Sequence, residues 1–129
     1  MALVDLLLVL VLLQYVHFSV LVAQARVTYE VKAPATSGNE TFERYYRVQM
    51  NTLELLILLL PGVWLASKYL PATWVAVLCG IYLIGRVVYL RAYVADPGKR
   101  SLGFLLSFAP ILLLLLAGFG GSIRTLWAL

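Results

Sequence analysis

The segment FERYYRVQMNTLE, residues 42–54, carries the side chains best suited to chemistry. Arg44, Arg47, Asn51 and Glu54 follow one another at i, i+3, i+7 and i+10, so they share one face of one helix. That helix runs on into LLILLLPGVWLA, a stretch suited to lipid. A carboxylate and an amide carried into a bilayer are costly unless polar groups meet them, and a stripe of this kind is by default a site. A second stripe follows. Tyr82, Arg86, Tyr89 and Tyr93 stand at i, i+4, i+7 and i+11, again on one helical face. Arg86 lies in the middle of IYLIGRVVYLRAYVA and needs an anionic or carbonyl partner there. Glu54 is the natural candidate, and such a pair taken alone would do no more than lock two helices together.

The pair does not account for the surplus of donors. Arg26, Arg47, Arg86, Arg91 and Arg100 face few carboxylates at this level, which implies a missing anionic ligand. The planar fork of arginine suits carboxylates. Arg100, just past Asp96-Pro97-Gly98, has two readings. It is either a basic anchor at the membrane border or a cation poised beside a ligand held by the third-helix tyrosines. Tyr89 and Tyr93 are likewise either interface aromatics or hydroxyl donors to a polar ligand or a thiolate. His17, near Gln14 in the first apolar run, reads as a helix-packing hydrogen bonder rather than a proton relay. Asp5 lies near the outer end, within reach of water.

The elements that must position these groups are apolar helices. The chain has 129 residues, 63% hydrophobic and 12% charged, against roughly half and a quarter in soluble domains. This predicts an all-α integral membrane protein with a single domain over residues 1–129. Four spans are expected, at about 2–24, 42–67, 71–95 and 100–119. A polar loop, Ala33-Pro34-Ala35-Thr36-Ser37-Gly38-Asn39, separates the first two. Pro61 and Gly62 predict a kink in the second. Pro71 opens the third, Asp96-Pro97-Gly98 turns the chain into the fourth, and Gly120-Gly121 is expected to loosen it before a short tail.

Other signals are weaker. Cys79, the single cysteine, sits in an apolar run, so no disulfide within the chain is possible. No Cys/His cluster points to a metal. The net charge of +4 is no nucleic-acid signal, because the basic residues gather at helix ends. Asn39-Glu40-Thr41 matches a glycosylation pattern, and Ala23-Gln24-Ala25 looks like a signal-peptidase site. The first apolar run is longer than a usual signal core and has no basic residue before it, so it is read as a retained helix. Arg26, Lys32, Arg44 and Arg47 border the first loop; Arg91, Lys99 and Arg100 border the third. The other side has only Lys68 and Arg124. The positive-inside rule therefore places loops one and three in the cytoplasm and both termini outside. Trp64, Tyr69, Trp74 and Trp127 fit the interfacial belts.

Taken together, the stripes resemble the MAPEG family, the membrane-associated proteins in eicosanoid and glutathione metabolism, which includes microsomal glutathione transferases and leukotriene C4 synthase. Residues 43–54 are similar to its pattern E-R-x-x-R-x-x-x-N-x-x-E. Ala25-Arg26 with Val31 and Pro34 leads in as in the glutathione-binding members. Residues 82–93 resemble the family's third helix, and the spacing from Tyr93 to Arg100 matches leukotriene C4 synthase. The resemblance covers essentially the whole chain. It implies a four-transmembrane-helix bundle assembling as a homotrimer, with glutathione as co-substrate and no metal. Glutathione would sit between subunits near the cytoplasmic face, held by Arg26, Arg47, Asn51, Glu54, Arg86, Tyr89 and Tyr93, with Gln49 from a neighbour. Arg100 would stabilise the thiolate, which attacks a hydrophobic electrophile or lipid substrate arriving from the membrane. The implied activity is a membrane glutathione transferase, with a glutathione peroxidase activity as a companion reaction. Short loops and the lack of a retrieval signal fit a bacterial inner-membrane member. The chain departs from leukotriene C4 synthase at Val27 and Leu55, and Pro61 lies a turn beyond the family proline, which counts against a leukotriene-specific role. The rival expectations are a non-catalytic lipid-binding protein of the same fold and a small transporter or scaffold subunit. Transporters usually show repeated halves, and this sequence shows none.

Overall fold

The computed structural model describes residues 1–129, and every regular element in it is helical. The spans are α1 (Ala2–Thr28), α2 (Glu40–Ala66), α3 (Ala72–Ala95) and α4 (Ser101–Trp127), with one 3₁₀ turn at Pro97–Lys99. Helices of 27 residues reach about 40 Å, enough for the hydrocarbon and part of both interfaces. All four are long and apolar enough to cross a membrane. Leu3, Leu6, Leu13, Ile57, Ile84, Leu105 and Leu116 are among many large apolar side chains left exposed. Such a surface is at home only in lipid or against another chain.

The helix ends follow local chemistry. Asn39 caps α2, its Oδ1 accepting from the Phe42 backbone N–H at 2.9 Å. Asp96 accepts from the Gly98 N–H at 3.0 Å and sets the turn into α4. Two ends differ from the sequence expectation. α1 continues past residue 24 to Thr28. Arg26 suits the negative end of its dipole and also gathers loop one from below, donating to Val31 O at 3.3 Å and Ala35 O at 2.6 Å. α4 does not loosen at Gly120-Gly121 but runs to Trp127. The Tyr69 ring lies so close over Gly121 that a Cβ there would overlap it. Packing against that ring, and the Tyr69–Ser122 hydroxyl contact at 3.3 Å, outweigh the roughly 1 kcal/mol that a helical glycine costs. α2 passes through Pro61 as one uninterrupted helix.

The bundle is layered along its axis. Away from loops one and three lies the main apolar core: Val4 and Val11 of α1, Leu55, Leu59 and Val63 of α2, Val75, Cys79 and Tyr82 of α3, Ile111 and Leu114 of α4. Above it is a polar layer of Asn51, Thr52, Arg86 and Ser107, all buried. Phe18, Val48 and Tyr89 form a small cluster beyond that layer. Val22, Ala25, Val31 and Phe42 close the end under loop one. α1 joins by a narrow seam, with Val4, Val11, Phe18 and Ala25 buried at every seventh position. Gln14 ties it to α3 by donating to Leu83 O at 3.0 Å. His17, expected to serve that purpose, is exposed, its ring centroid 6.3 Å from that of Phe18.

α3 and α4 approach most closely. A Cβ at Gly85 would stand 2.7 Å from the Leu106 carbonyl carbon and Ser107 N, and one at Gly103 would overlap the Tyr89 backbone. Small residues at such crossings let helix backbones touch in membranes. Gly103→Ala should therefore destabilise the fold by about 1–3 kcal/mol, read as a lowered melting temperature in detergent. Gly80→Ala is the matched control, because nothing lies within 4 Å of its would-be Cβ. It should leave stability unchanged or raise it by up to about 1 kcal/mol.

Candidate functional site

The polar layer is built around Arg86, which is 0% exposed. Its Nε donates to Ser107 Oγ at 2.8 Å. Its Nη1 donates to Asn51 Oδ1 at 2.7 Å and Thr52 Oγ1 at 3.2 Å. The guanidinium also lies 4.3 Å from the Tyr89 ring centroid and 6.0 Å from that of Tyr82, within cation–π range. No carboxylate is among its partners. Arg86 is not paired with Glu54, contrary to expectation. Glu54 points outward and meets Arg47 instead, at 3.4 Å between half-exposed side chains. The physical reason is burial: amide and hydroxyl oxygens meet Nε and Nη1, leaving Nη2 without a partner, in a layer where a carboxylate would itself need desolvating.

Arg86 thereby fixes its neighbours. With its oxygen committed to Arg86, Asn51 has its amide nitrogen left for a ligand. Tyr89 is held between the guanidinium on its ring and Gly103 against its backbone. Its ring also meets that of Tyr93, centroids 5.5 Å apart. Both tyrosines open onto a cavity of about 840 Å³ between α2, α3 and α4. Arg47, Asn51, Arg100 and Ser101 share its lining, while Phe104, Leu105 and Phe108 form an apolar wall on α4. The cavity thus offers two cations and phenolic hydroxyls at the loop end and an apolar surface deeper along α4. A smaller cavity of about 390 Å³ adjoins it through Arg47 and Tyr93 and is lined further by Glu40, Glu43 and Arg44. Arg44 donates to Val94 O at 3.0 Å and Ala95 O at 3.2 Å, which satisfies carbonyls in the last turn of α3 and ties α2 to α3 beside the smaller cavity.

Of the residues singled out by sequence, the structure brings Arg47, Asn51, Tyr89, Tyr93 and Arg100 to one cavity. Arg86 stands behind this group as its support. Glu54 is beside it through Arg47. Arg26 and Gln49 are elsewhere. Arg26 is engaged by loop-one carbonyls and by the Phe42 ring at 4.8 Å, at a separate surface cavity with Val27, Glu30 and Lys32. Gln49 donates to Ser19 Oγ of α1 at 3.0 Å. Sequence reasoning missed Thr52, Ser107 and the apolar wall. Ser107 was visible as the one polar residue in FLLSFAPILLLLL, four residues after Gly103. Phe104, Leu105 and Phe108 carry no mark that separates them from lipid-facing residues.

The architecture is that of a small polytopic membrane protein with a cationic, aromatic pocket at one end of a four-helix bundle. A family model described as the MAPEG family matches residues 4–120, and the chain belongs to that family. A Synechocystis protein carrying the name "Uncharacterized protein sll1147" is 41% identical over 115 residues, 89% of this chain and 82% of the relative. Human microsomal glutathione S-transferase 2 is 34% identical over 105 residues, 81% and 71% of the two chains. Leukotriene C4 synthase of Cavia porcellus is 41% identical over 108 residues, 83% and 70% of the two chains.

The hydrogen bonds around Arg86 fix which substitutions matter for folding. Asn51→Leu or Ser107→Ala should each destabilise the protein by about 1–3 kcal/mol, because a buried guanidinium N–H loses its acceptor. Glu54→Gln should change stability by less than about 1 kcal/mol, as expected for an exposed pair. Thermal unfolding of the three variants in one detergent makes the comparison. The reverse order would mean that Arg86 draws on Glu54 after all.

Proposed function

We propose that this protein is a membrane glutathione transferase acting on hydrophobic electrophiles, with glutathione peroxidase activity as a companion reaction. The observation that carries the reading is the composition of the main cavity. Arg47 and Arg100 supply positive charge, Asn51, Tyr89 and Tyr93 supply donors, and Phe104, Leu105 and Phe108 supply an apolar wall within the same space. Glutathione carries two carboxylates, one ammonium and a thiol. Arg47 suits a carboxylate and Glu54 suits the ammonium. The relatives named as glutathione S-transferase and leukotriene C4 synthase support the same substrate class.

The thiolate is the nucleophile, and a positive neighbourhood favours it over the thiol. Arg100 is the N-cap of α4 and makes no side-chain cap for the helix. Its one side-chain hydrogen bond is to Pro97 O at 3.0 Å, so donors of the guanidinium remain for a ligand. A cation at a helix N-terminus opposes the helix dipole; an anion placed there satisfies both. The sulfur would attack the electrophilic carbon or other centre of the second substrate, the leaving group departing with the bond electrons and the thiol proton passing to water. Arg86 would act through Asn51 and Tyr89 rather than by touching glutathione.

The remaining residues are accommodated by assembly. Arg26 and Gln49 lie on surfaces apart from the main cavity, so within one chain they do not share a ligand with Arg100. A homotrimer in which one copy presents this surface to the cavity of the next would reunite them. The basic residues bordering loops one and three support an orientation in which those loops, and the thiol supply, would lie on the cytoplasmic side of a bacterial inner membrane.

Two experiments test the reading. Purified protein titrated with glutathione should develop thiolate absorbance in the ultraviolet. Arg100→Ala should abolish that signal and cut turnover with an aryl halide roughly 10²-fold or more. Affinity should change less, and Arg100→Lys should rescue only in part because an ammonium lacks the fork. Unchanged turnover in Arg100→Ala would return this residue to the role of membrane anchor. The orientation has its own test. A compartment-sensitive reporter fused after Leu129 should be active on the periplasmic side, and a cytoplasmic signal would reverse the assigned topology.

A further inference from the structure

The end of the bundle opposite loops one and three holds only two basic side chains, Lys68 and Arg124. They come from different elements, the α2–α3 connection and the last turn of α4, yet both line one cavity of about 630 Å³. Neither forms a salt bridge, the two ion pairs of the chain being Arg44–Glu40 and Arg47–Glu54. No acidic side chain lines the cavity. Leu70, Leu116 and Ala117 give it an apolar wall, and Tyr69 and Thr125 add hydroxyls. Its floor is built rather than incidental, because the Tyr69 ring is seated on Gly121 and its hydroxyl meets Ser122. Gly120 leaves the mouth open, with nothing within 4 Å of its would-be Cβ. Lys68 Nζ stands 3.8 Å above the Trp64 ring centroid. Trp64, Trp74 and Trp127 are all exposed at this end, the level at which lipid headgroups lie.

We infer that this cavity binds the phosphate of an anionic phospholipid, with Lys68 and Arg124 on the headgroup and an acyl chain along Leu70, Leu116 and Ala117. The charge complementarity is one-sided: two unpaired cations, no carboxylate, and an apolar surface directly beneath. A free phosphate would use the cations and leave the apolar wall unused. The source is therefore a lipid of the surrounding leaflet, and the site is separate from the thiol cavity at the other end.

The test is native mass spectrometry of the full chain purified in a neutral detergent and titrated with phosphatidylglycerol. Saturable binding is expected, weakened at least about tenfold in a Lys68→Gln/Arg124→Gln double variant, since each basic side chain near the interface contributes appreciably to anionic-lipid attraction. Gly120→Leu, which places a side chain in the open mouth, should weaken it as well while keeping both charges. Phosphatidylcholine should bind at least about tenfold less tightly, as should the soluble headgroup glycerophosphoglycerol. Equal binding by the double variant or by phosphatidylcholine would overturn the inference. Full competition by glycerophosphoglycerol or inorganic phosphate would also overturn it, because the site would then hold a free anion and not a lipid.

Discussion

A guanidinium sealed among apolar helices without a carboxylate is the constraint to which the rest of this bundle answers. Arg86 cannot be left bare in hydrocarbon, so α2 must bring Asn51 and Thr52 to it and α4 must bring Ser107. Three helices are thereby fixed in register by one side chain. Removing a neutral acceptor strands a charge; adding a carboxylate would require desolvating a second one. The chosen acceptors are themselves anchored. Thr52 Oγ1 donates to Val48 O at 2.8 Å and Ser107 Oγ to Gly103 O at 2.7 Å, which leaves their lone pairs turned to Arg86.

The same constraint shapes the cavity. Asn51 and Tyr89 are each held from behind by Arg86 and border in front the space that Arg47, Tyr93 and Arg100 also line. Preorganisation of this sort lowers what a ligand must spend in ordering side chains. The glycine contacts at Gly85 and Gly103 belong to the same device, since they bring α4 near enough for Ser107 to reach Arg86 and for the apolar wall to face the tyrosines.

Much of this is legible in the amino-acid sequence. Hydropathy and length give four spanning helices, and helical spacing puts Arg47 and Asn51 on one face and Tyr89 and Tyr93 on another. The cation of Arg86 announces a buried polar layer. What the sequence does not carry is who answers it. Carboxylates are few and conspicuous, so Glu54 draws attention, whereas Asn, Thr and Ser are common enough in helices to pass as surface. Distance along a helix cannot show that Glu54 turns away from α3 while Asn51, three residues earlier, turns toward it. The end of α4 differs from the expectation for a related reason. A Gly-Gly pair reads as a break when intrinsic preference is all that is known, and only the position of Tyr69 explains why the helix continues.

The Arg47–Glu54 pair bears on the ligand proposed above. Each side chain already offsets the charge of the other across 3.4 Å. A zwitterionic guest with its ammonium and carboxylate a few ångströms apart would exchange partners with both at once, whereas a guest with carboxylates alone would take Arg47 and leave Glu54 to water. Because both side chains are about half-exposed, neither exchange buries a bare charge, and the pair would give way at little cost.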